Sequence, residues 1–485
     1  MELSLTDLPA DVLLGVMQHV DVPDLLACRL VCKRLHGLAL QPDAWRHRQL
    51  HGNRHTPQAL RLAPCLKAWK LHLTSQVSRL PLALCTATKC AVTQLGITIT
   101  TKHIEFEVTG RVIRNQAALG RLRRLQLILK NLHYRIGDVE LTKLLATAVL
   151  TGGLEKLTII CFNGKLPSPD TPALLAGPAP SPSVKTLHFS LSPATEPFVS
   201  FVLAAHAATL EKVSLGESPC SWSASSSIAA QLAGMPNLRE LTCCLLPGLQ
   251  AAAACKSLRH FELLVYRPHL NPDDEALRRN LLDAGEFLRR ADQLESVRLE
   301  YLSDDVRVGP SVLSLSPRSR PQRLVIVDDH YFEQDSDYPH LQPLLAALPS
   351  LTALHHLELN AVVLDGLAGA LTPVTAPALR TLKLRPVQGR TPCAHAYLHS
   401  RSMATLLADN PALQVHVHAR NVCLEVDTCE TCRRHCHQEL RCIRWLTKGE
   451  MLSDDRKDVA DFQCGWSMWI NITRCNLLFN NGSRS

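Results

Sequence analysis

A short phrase recurs along most of this chain and limits what the chain can fold into. An apolar residue, two spacers, an apolar residue, one spacer and a third apolar residue appear as VTQLGI (92–97), LRRLQL (122–127), LEKLTI (154–159), VKTLHF (184–189), LEKVSL (210–215) and LRELTC (238–243). The phrase continues as LRHFEL (258–263), LESVRL (294–299), LHHLEL (354–359) and LRTLKL (379–384), with RLVIV (323–327) irregular and LQVHV (413–417) a fading last copy. Alternate residues of an extended chain face one side, so each phrase predicts a short strand with an apolar inner row. The segments between them, such as LLATAVLTGG, FVLAAHAA, IAAQLAGMPN, LLDAGEFLRRADQ and LLAALPS, are short and Ala/Leu-rich, as returning helices require. Turn sequences GMPN, ALPS, TAPA and DNPA precede some copies and reset the chain for the next strand. One strand–helix unit cannot bury its own face, so neighbours must stack into a curved solenoid. A doubly wound α/β domain also alternates strands with helices, but the repeated phrasing and the missing phosphate loops argue against it.

The phrase resembles leucine-rich repeats of the ribonuclease-inhibitor kind. Copies lie about 20 to 36 residues apart, centred near the upper end of the range for such repeats. The resemblance implies an α/β solenoid whose concave sheet or rim loops hold a protein substrate. The Asn expected shortly after the strand is missing from most copies, although Asn360 follows LHHLEL. Outward strand positions include Glu262, Arg298, Glu300, Glu358, Lys383, Arg385 and His416, a mixed set that names no single ligand class. Of these, Glu300, Glu358, Lys383 and Arg385 are candidate substrate contacts. Tyr331 and Phe332 join them from DDHYFEQDSDYPH (328–340), an acidic aromatic stretch suited to a basic substrate. The plainer reading, that charges on strands are simply solvated, is the more common outcome. KLPSPDTPALLAGPAPSPS (165–183) is proline-dense and predicts an extended loop.

Ahead of the array stands SLTDLPADVLLGVMQHV (4–20). Pro9 suits a first helical position, and Asp11 places a carboxylate in the first turn, where it complements the helix dipole. Val12, Leu13, Val16, Met17 and Val20 follow as one apolar stripe. DVPD predicts a second helix with Asp21 as N-cap. LLACRLVCKRLHGLAL continues it, apolar at Leu25, Leu26, Leu30, Val31, Leu35 and Leu38 and loosened at Gly37. A third restart at Pro42 leads to Trp45 and Leu50. Helices this short bury too little among themselves, so they are either a cap on the array or a docking module for a partner.

Leu8-Pro9-x-Asp11-Val12-Leu13, Val16-Met17, Val20, Pro23, Asp24-Leu25-Leu26, Arg29-Leu30-Val31-Cys32-Lys33-Arg34 and Trp45 resemble an F-box over residues 5–50. Asp11 stands where that family usually has Glu, and Leu35 where Trp is common. The resemblance implies docking on the Skp-type adaptor of an SCF ubiquitin ligase and, through it, on cullin and RING subunits. Leu8 and Pro9 would enter the adaptor's pocket. Leu13, Val16, Val20, Leu25, Leu26, Leu30, Val31 and Trp45 would supply the other apolar contacts or the module's own small core. Together with the array, this implies a non-catalytic substrate receptor; a ligase-independent leucine-rich scaffold or inhibitor is the alternative. The expected divisions are the F-box at 1–50, a helical linker or N-cap at 51–90, the repeats at 91–420 and a Cys-rich tail at 421–485.

Charge and cysteines narrow the partners. The 52 Lys and Arg against 44 Asp and Glu leave a net +8, with no basic stripe interleaved with stacking aromatics, so no nucleic-acid partner is expected. No stretch approaches the ~18 unbroken apolar residues of a membrane span, and the acidic start MELSLTDLP lacks a secretory n-region. The expected location is therefore cytoplasmic or nuclear, where the 18 cysteines stay reduced. CETCRRHCH offers Cys429, Cys432, Cys436 and His437 as half of a zinc site, but a second Cys-x-x-Cys is missing and a scattered reduced set is the preferred reading. No cofactor is expected. No phosphate loop, dinucleotide fingerprint or His-Glu-x-x-His occurs, and GESPC (216–220) lacks the closing Gly of a nucleophile elbow.

Overall fold

The computed structural model describes residues 8–51, 55–73, 82–100, 103–130, 138–162, 181–191, 195–216, 227–266, 275–302, 320–328, 341–360, 364–385, 400–419 and 468–471. The chain divides into two compact units, residues 1–220 with 226–241 and residues 242–485 with 221–225.

Four short helices open the first unit: α1 (Ala10–Met17), α2 (Val22–Cys28), α3 (Lys33–Ala39) and α4 (Pro42–Trp45). Pro9 is the extended N-cap of α1, one position before the first-turn place expected for it. Asp21 occupies the N-cap of α2, without a side-chain cap bond. The apolar run after Asp24 does not bend at Gly37, which lies inside α3. It breaks at Arg29–Val31, where Leu30 N–H donates to Ala27 O at 2.8 Å and Val31 N–H to Cys28 O at 3.2 Å. Cys32 Sγ then accepts from Leu35 N–H at 3.5 Å and starts α3. A glycine costs a helix about 1 kcal/mol, less than the burial of Leu35 and Leu38 on either side of it returns.

Residues 51–90, expected as a helical linker or N-cap of the array, are helical only in part. They hold α5 (Thr56–Leu62), strand β2 (Cys65–Leu73) and α6 (Leu82–Ala87), and the short β1 (Gln49–Leu50) pairs parallel with β2. The reason is legible in β2 itself. Leu66-x-x-Trp69-x-Leu71 is the array's phrase with Trp in the middle place, and these residues register against Val92, Leu95 and Ile97 of β3 (Ala91–Ile99).

Every copy of the phrase forms a strand. In the first unit these are β3, β4 (Arg124–Lys130), β5 (Lys156–Phe162), β6 (Thr186–Ser190) and β7 (Lys212–Gly216), with LRELTC forming β8 (Glu240–Cys244). From β1 to β7 the strands pair parallel in chain order, so the unit has no topological switch point and is not doubly wound. Register stacks two apolar rows: Trp69, Leu95, Leu125, Leu157, Leu187 and Val213, and beside it Leu71, Ile97, Leu127, Ile159, Phe189 and Leu215. All twelve are at most 2% exposed. The rows face the returning helices; Phe189 meets Phe198 of helix Glu196–His206 with ring centroids 5.5 Å apart. Gly120, at φ 75°, ends helix α7 (His103–Ala118) in a backbone conformation that other residues resist.

The second unit repeats the plan. β9 (His260–Tyr266), β10 (Ser296–Leu302), β11 (Arg323–Asp328), β12 (His356–Asn360), β13 (Thr381–Arg385) and β14 (Gln414–Ala419) pair parallel in chain order, and β15 (Met468–Asn471) pairs antiparallel with β14. Its inner row runs Phe261, Val297, Leu324, Leu357, Leu382 and Val415, and Phe261 meets Phe287 of helix Glu275–Arg290 with tilted rings whose centroids lie 4.4 Å apart. Turn residues brace consecutive repeats in both units. Asn237 Nδ2 donates to Ala208 O at 2.8 Å, Gln293 Nε2 to Cys255 O at 2.8 Å and Asn410 Nδ2 to Leu371 O at 2.7 Å. Each unit is an open sheet backed by returning helices, parallel throughout except for β15 at the end of the second, an arrangement consistent with a solenoid.

Candidate functional site

The four N-terminal helices sort their apolar residues into two sets. Leu13, Leu25 and Trp45 are at most 1% exposed and form the module's own core with Met17, Leu35 and Leu38. They are corrected from adaptor contacts to core residues, because a side chain already removed from water has no surface to offer a partner. Trp45 is locked further by its indole N–H, which donates to Ala39 O at 2.6 Å. Leu8, Val20 and Leu26 are half-buried, and Pro9 and Val16 are exposed.

The largest exposures fall where the chain breaks between α2 and α3. Leu30 is 80% exposed and Val31 68%, with Val12 at 45% and Val16 at 47% on α1. Val12 and Val16 share one helix face by their four-residue spacing. The N–H groups of Leu30 and Val31 are both bonded within the turn. Arg34 in α3 donates from its guanidinium to Leu8 O. That bond ties Leu8–Pro9 to the first turn of α3, which directly follows Leu30–Val31. Leu30 and Val31 are thus two adjacent aliphatic residues left in water on a small module.

Arg48 holds the module in shape, and periodicity gave no hint of it. Its Nε donates to Ala44 O at 2.7 Å, its Nη2 donates to Met17 O, and its guanidinium lies 6.0 Å from the Trp45 ring centroid. Its backbone carbonyl accepts from Lys67 N–H at 2.9 Å and Ala68 N–H at 3.2 Å, joining the helices to β2. Burial lowers the Arg48 pKa, opposed by the nearby Asp21 carboxylate.

The second candidate surface is the sheet face opposite the returning helices. In the second unit, register places Glu262, Arg298, Val325, Glu358, Lys383 and His416 in one row across it. Arg298 bridges Glu262 and Glu300, both at 2.7 Å. Burial works against its charge, but the hydrogen bond and charge of Glu300, with Glu262 and Glu358, raise its pKa overall. Glu358 is 3% exposed and lies 3.4 Å from Arg323 Nη2, so it is corrected from a direct substrate contact to a buried ion partner. Glu300 and Lys383 are half-buried on this face, and Arg385 lies at the end of β13. Burial, Lys383 and His356 together lower the His416 pKa.

Tyr331, Phe332, Cys429, Cys432, Cys436 and His437 lie outside the described residues, as does most of the proline-dense stretch. Among the described residues no group of three or more His, Cys, Asp or Glu side chains could hold a metal ion, and no helix is long and apolar enough to cross a membrane. The described cysteines are free thiols.

Residues 5–51 match the F-box-like family, and that span takes in the four helices, the Leu30–Val31 turn and Arg48. No curated protein matches the chain.

Proposed function

We propose that this protein is a non-catalytic substrate receptor of an SCF-type cullin–RING ubiquitin ligase, working in the cytoplasm or nucleus. The N-terminal helices dock the Skp-type adaptor, and the strand–helix array, read as leucine-rich repeats, holds a protein substrate. The gain is effective concentration: a substrate held on the array presents its lysines to a conjugating enzyme brought by the cullin–RING subunits. One observation carries the reading. Within an F-box-like match, Leu13, Leu25 and Trp45 are spent on the core while Pro9, Val12, Val16, Leu30 and Val31 stay in water.

The test is adaptor affinity of the full chain against its Leu30→Ala/Val31→Ala variant. The substitutions delete three carbons from Leu30 and two from Val31, about 4 kcal/mol at 0.8 kcal/mol per buried carbon. Scaled by their present exposures of 80% and 68%, the loss is about 3 kcal/mol, or roughly 100-fold in affinity. An unchanged affinity, or a variant that no longer folds, would remove the Leu30–Val31 turn from the docking surface.

A further inference from the structure

The open sheet face of the first unit is cationic up to its last strand, β8, where Glu240 pairs with Lys212 at 2.6 Å. Strands β2 to β7 contain no Asp or Glu, whereas β9 to β12 contain Glu262, Glu300, Asp328 and Glu358. Alternation from the buried rows puts Lys70, Arg124 and Lys156 on that face, all exposed. Arg124 and Lys156 are direct register partners, so their backbones are about 4.8 Å apart. Like charges directly opposed across strands cost stability.

Neighbouring cations at the same end of the strands each have a carboxylate. Arg123 lies 4.0 Å from Glu155, Lys185 3.8 Å from Glu211 and Lys212 2.6 Å from Glu240. Among the described residues Arg124 and Lys156 have none within ion-pair distance. Lys70 adds to the field from β2, its stem crossing beside Gly96, where an added Cβ would meet Lys70 Cγ at 3.6 Å. His188 sits on the same face with its pKa lowered by burial and by Lys156. Four residues beyond the cations, about 13 Å along the strands, Ile128 and Ile160 are register partners and half-buried.

We propose that this face docks an acidic segment of a protein partner, with its anionic groups on Arg124 and Lys156 and an aliphatic side chain on Ile128 and Ile160. The proposal rests on reading the array as the substrate-holding part of the receptor. The anionic groups are carboxylates or phosphates, which share the chemistry that Arg and Lys recognise. The uncompensated pair is then a cost in the free protein that the bound segment relieves.

The full chain is titrated with a fluorescein-labelled Glu/Leu dodecapeptide, its Gln/Leu counterpart, its phosphoserine counterpart and a single-stranded RNA dodecamer. The wild type should bind the acidic peptides, more weakly as salt rises, and ignore the Gln form. Arg124→Gln/Lys156→Gln should weaken acidic-peptide binding about tenfold or more, yet melt higher than the wild type at low salt because the repulsion is gone. Arg111→Gln/Lys143→Gln, on the returning helices, should leave peptide binding unchanged. A tighter phosphoserine or Glu peptide identifies the source of the anion, and either result supports the proposal. Equal binding of the Gln peptide, unchanged binding in the Arg124/Lys156 variant, or RNA bound more tightly than either acidic peptide overturns it. Adaptor capture, measured on the same samples, depends on the N-terminal helices. A wild type that captures adaptor but ignores the acidic peptides therefore overturns this proposal alone.

Discussion

Replacing Arg48 with Met keeps the aliphatic stem but removes the guanidinium that holds α1, α4 and Trp45 together. The bonds lost are Nε to Ala44 O at 2.7 Å and Nη2 to Met17 O, with the contact to the Trp45 ring at 6.0 Å. A hydrogen bond from a charged donor contributes about 1.5–3 kcal/mol when buried, and Arg48 is half-buried, so the pair amounts to roughly 1.5–3 kcal/mol. The ring contact adds about 0.5–1 kcal/mol. Arg48→Met should therefore lower the local stability of residues 10–50 by about 2–4 kcal/mol. Native-state amide exchange reads this directly, because exchange through local opening speeds up tenfold per 1.4 kcal/mol. Amides of α1 and α3 should exchange about 30- to 1000-fold faster, while those of β10 keep their rates. Arg48→Lys should fall between, because a point charge cannot reproduce two directed donors. Unchanged exchange in α1 and α3 would refute this account of the module, as would equal acceleration in β10.

The other expectations concern core, ladder and titration. Leu25→Ala should destabilise the N-terminal module by about 2–5 kcal/mol, and Leu30→Ala should leave its melting unchanged, since Leu25 is 0% and Leu30 80% exposed. Trp69→Phe should cost less than about 1 kcal/mol because the buried Trp69 Nε1 has no hydrogen-bond partner to lose, whereas Trp69→Ala should cost about 3–5 kcal/mol; urea midpoints separate the two. Burial pushes the Cys90 thiol up to about 12 and the Cys161 thiol to about 11, from an ordinary value of 9.0. Above pH 9 the unfolded chain releases protons that the folded chain keeps, so stability should fall as pH rises from 9 toward 11; a urea midpoint equal at pH 8.5 and 10.5 would contradict it. His188 and His416 are lowered, chiefly by burial, so the unfolded chain binds more protons in acid and stability should fall as pH drops below 6.5. The Gln variant of either should weaken that fall in acid-titrated melts.

The array was legible because its signal is local and repeated. Each three-apolar phrase fixes a strand, and a wrong assignment at one copy is corrected by the others. β2 escaped because Trp69 stands where the other copies carry an aliphatic residue or Phe, and because Pro57 and the Ala/Leu-rich flanks suggest helix. The break at Arg29–Val31 escaped because Leu30 and Val31 continue an apolar run; their exposure follows from where α3 packs, which periodicity does not encode. The division of the F-box residues between core and surface depends on the same packing. Arg48 and Glu358 were illegible for a different reason. A charged residue's role is set by what lies across the fold from it, here Met17 and Ala44 for one and Arg323 for the other. The pairing of Arg124 with Lys156 likewise exists only once two phrases separated by a helix are placed in register.

Titration calorimetry of the purified Skp-type adaptor into the full-length chain tests the central claim most directly. The account predicts saturable binding of one adaptor per chain, with a negative heat-capacity change from burying the Leu30–Val31 turn and its apolar neighbours. No saturable heat with a chain that melts cooperatively would contradict it, and the N-terminal helices would then be a cap on the array.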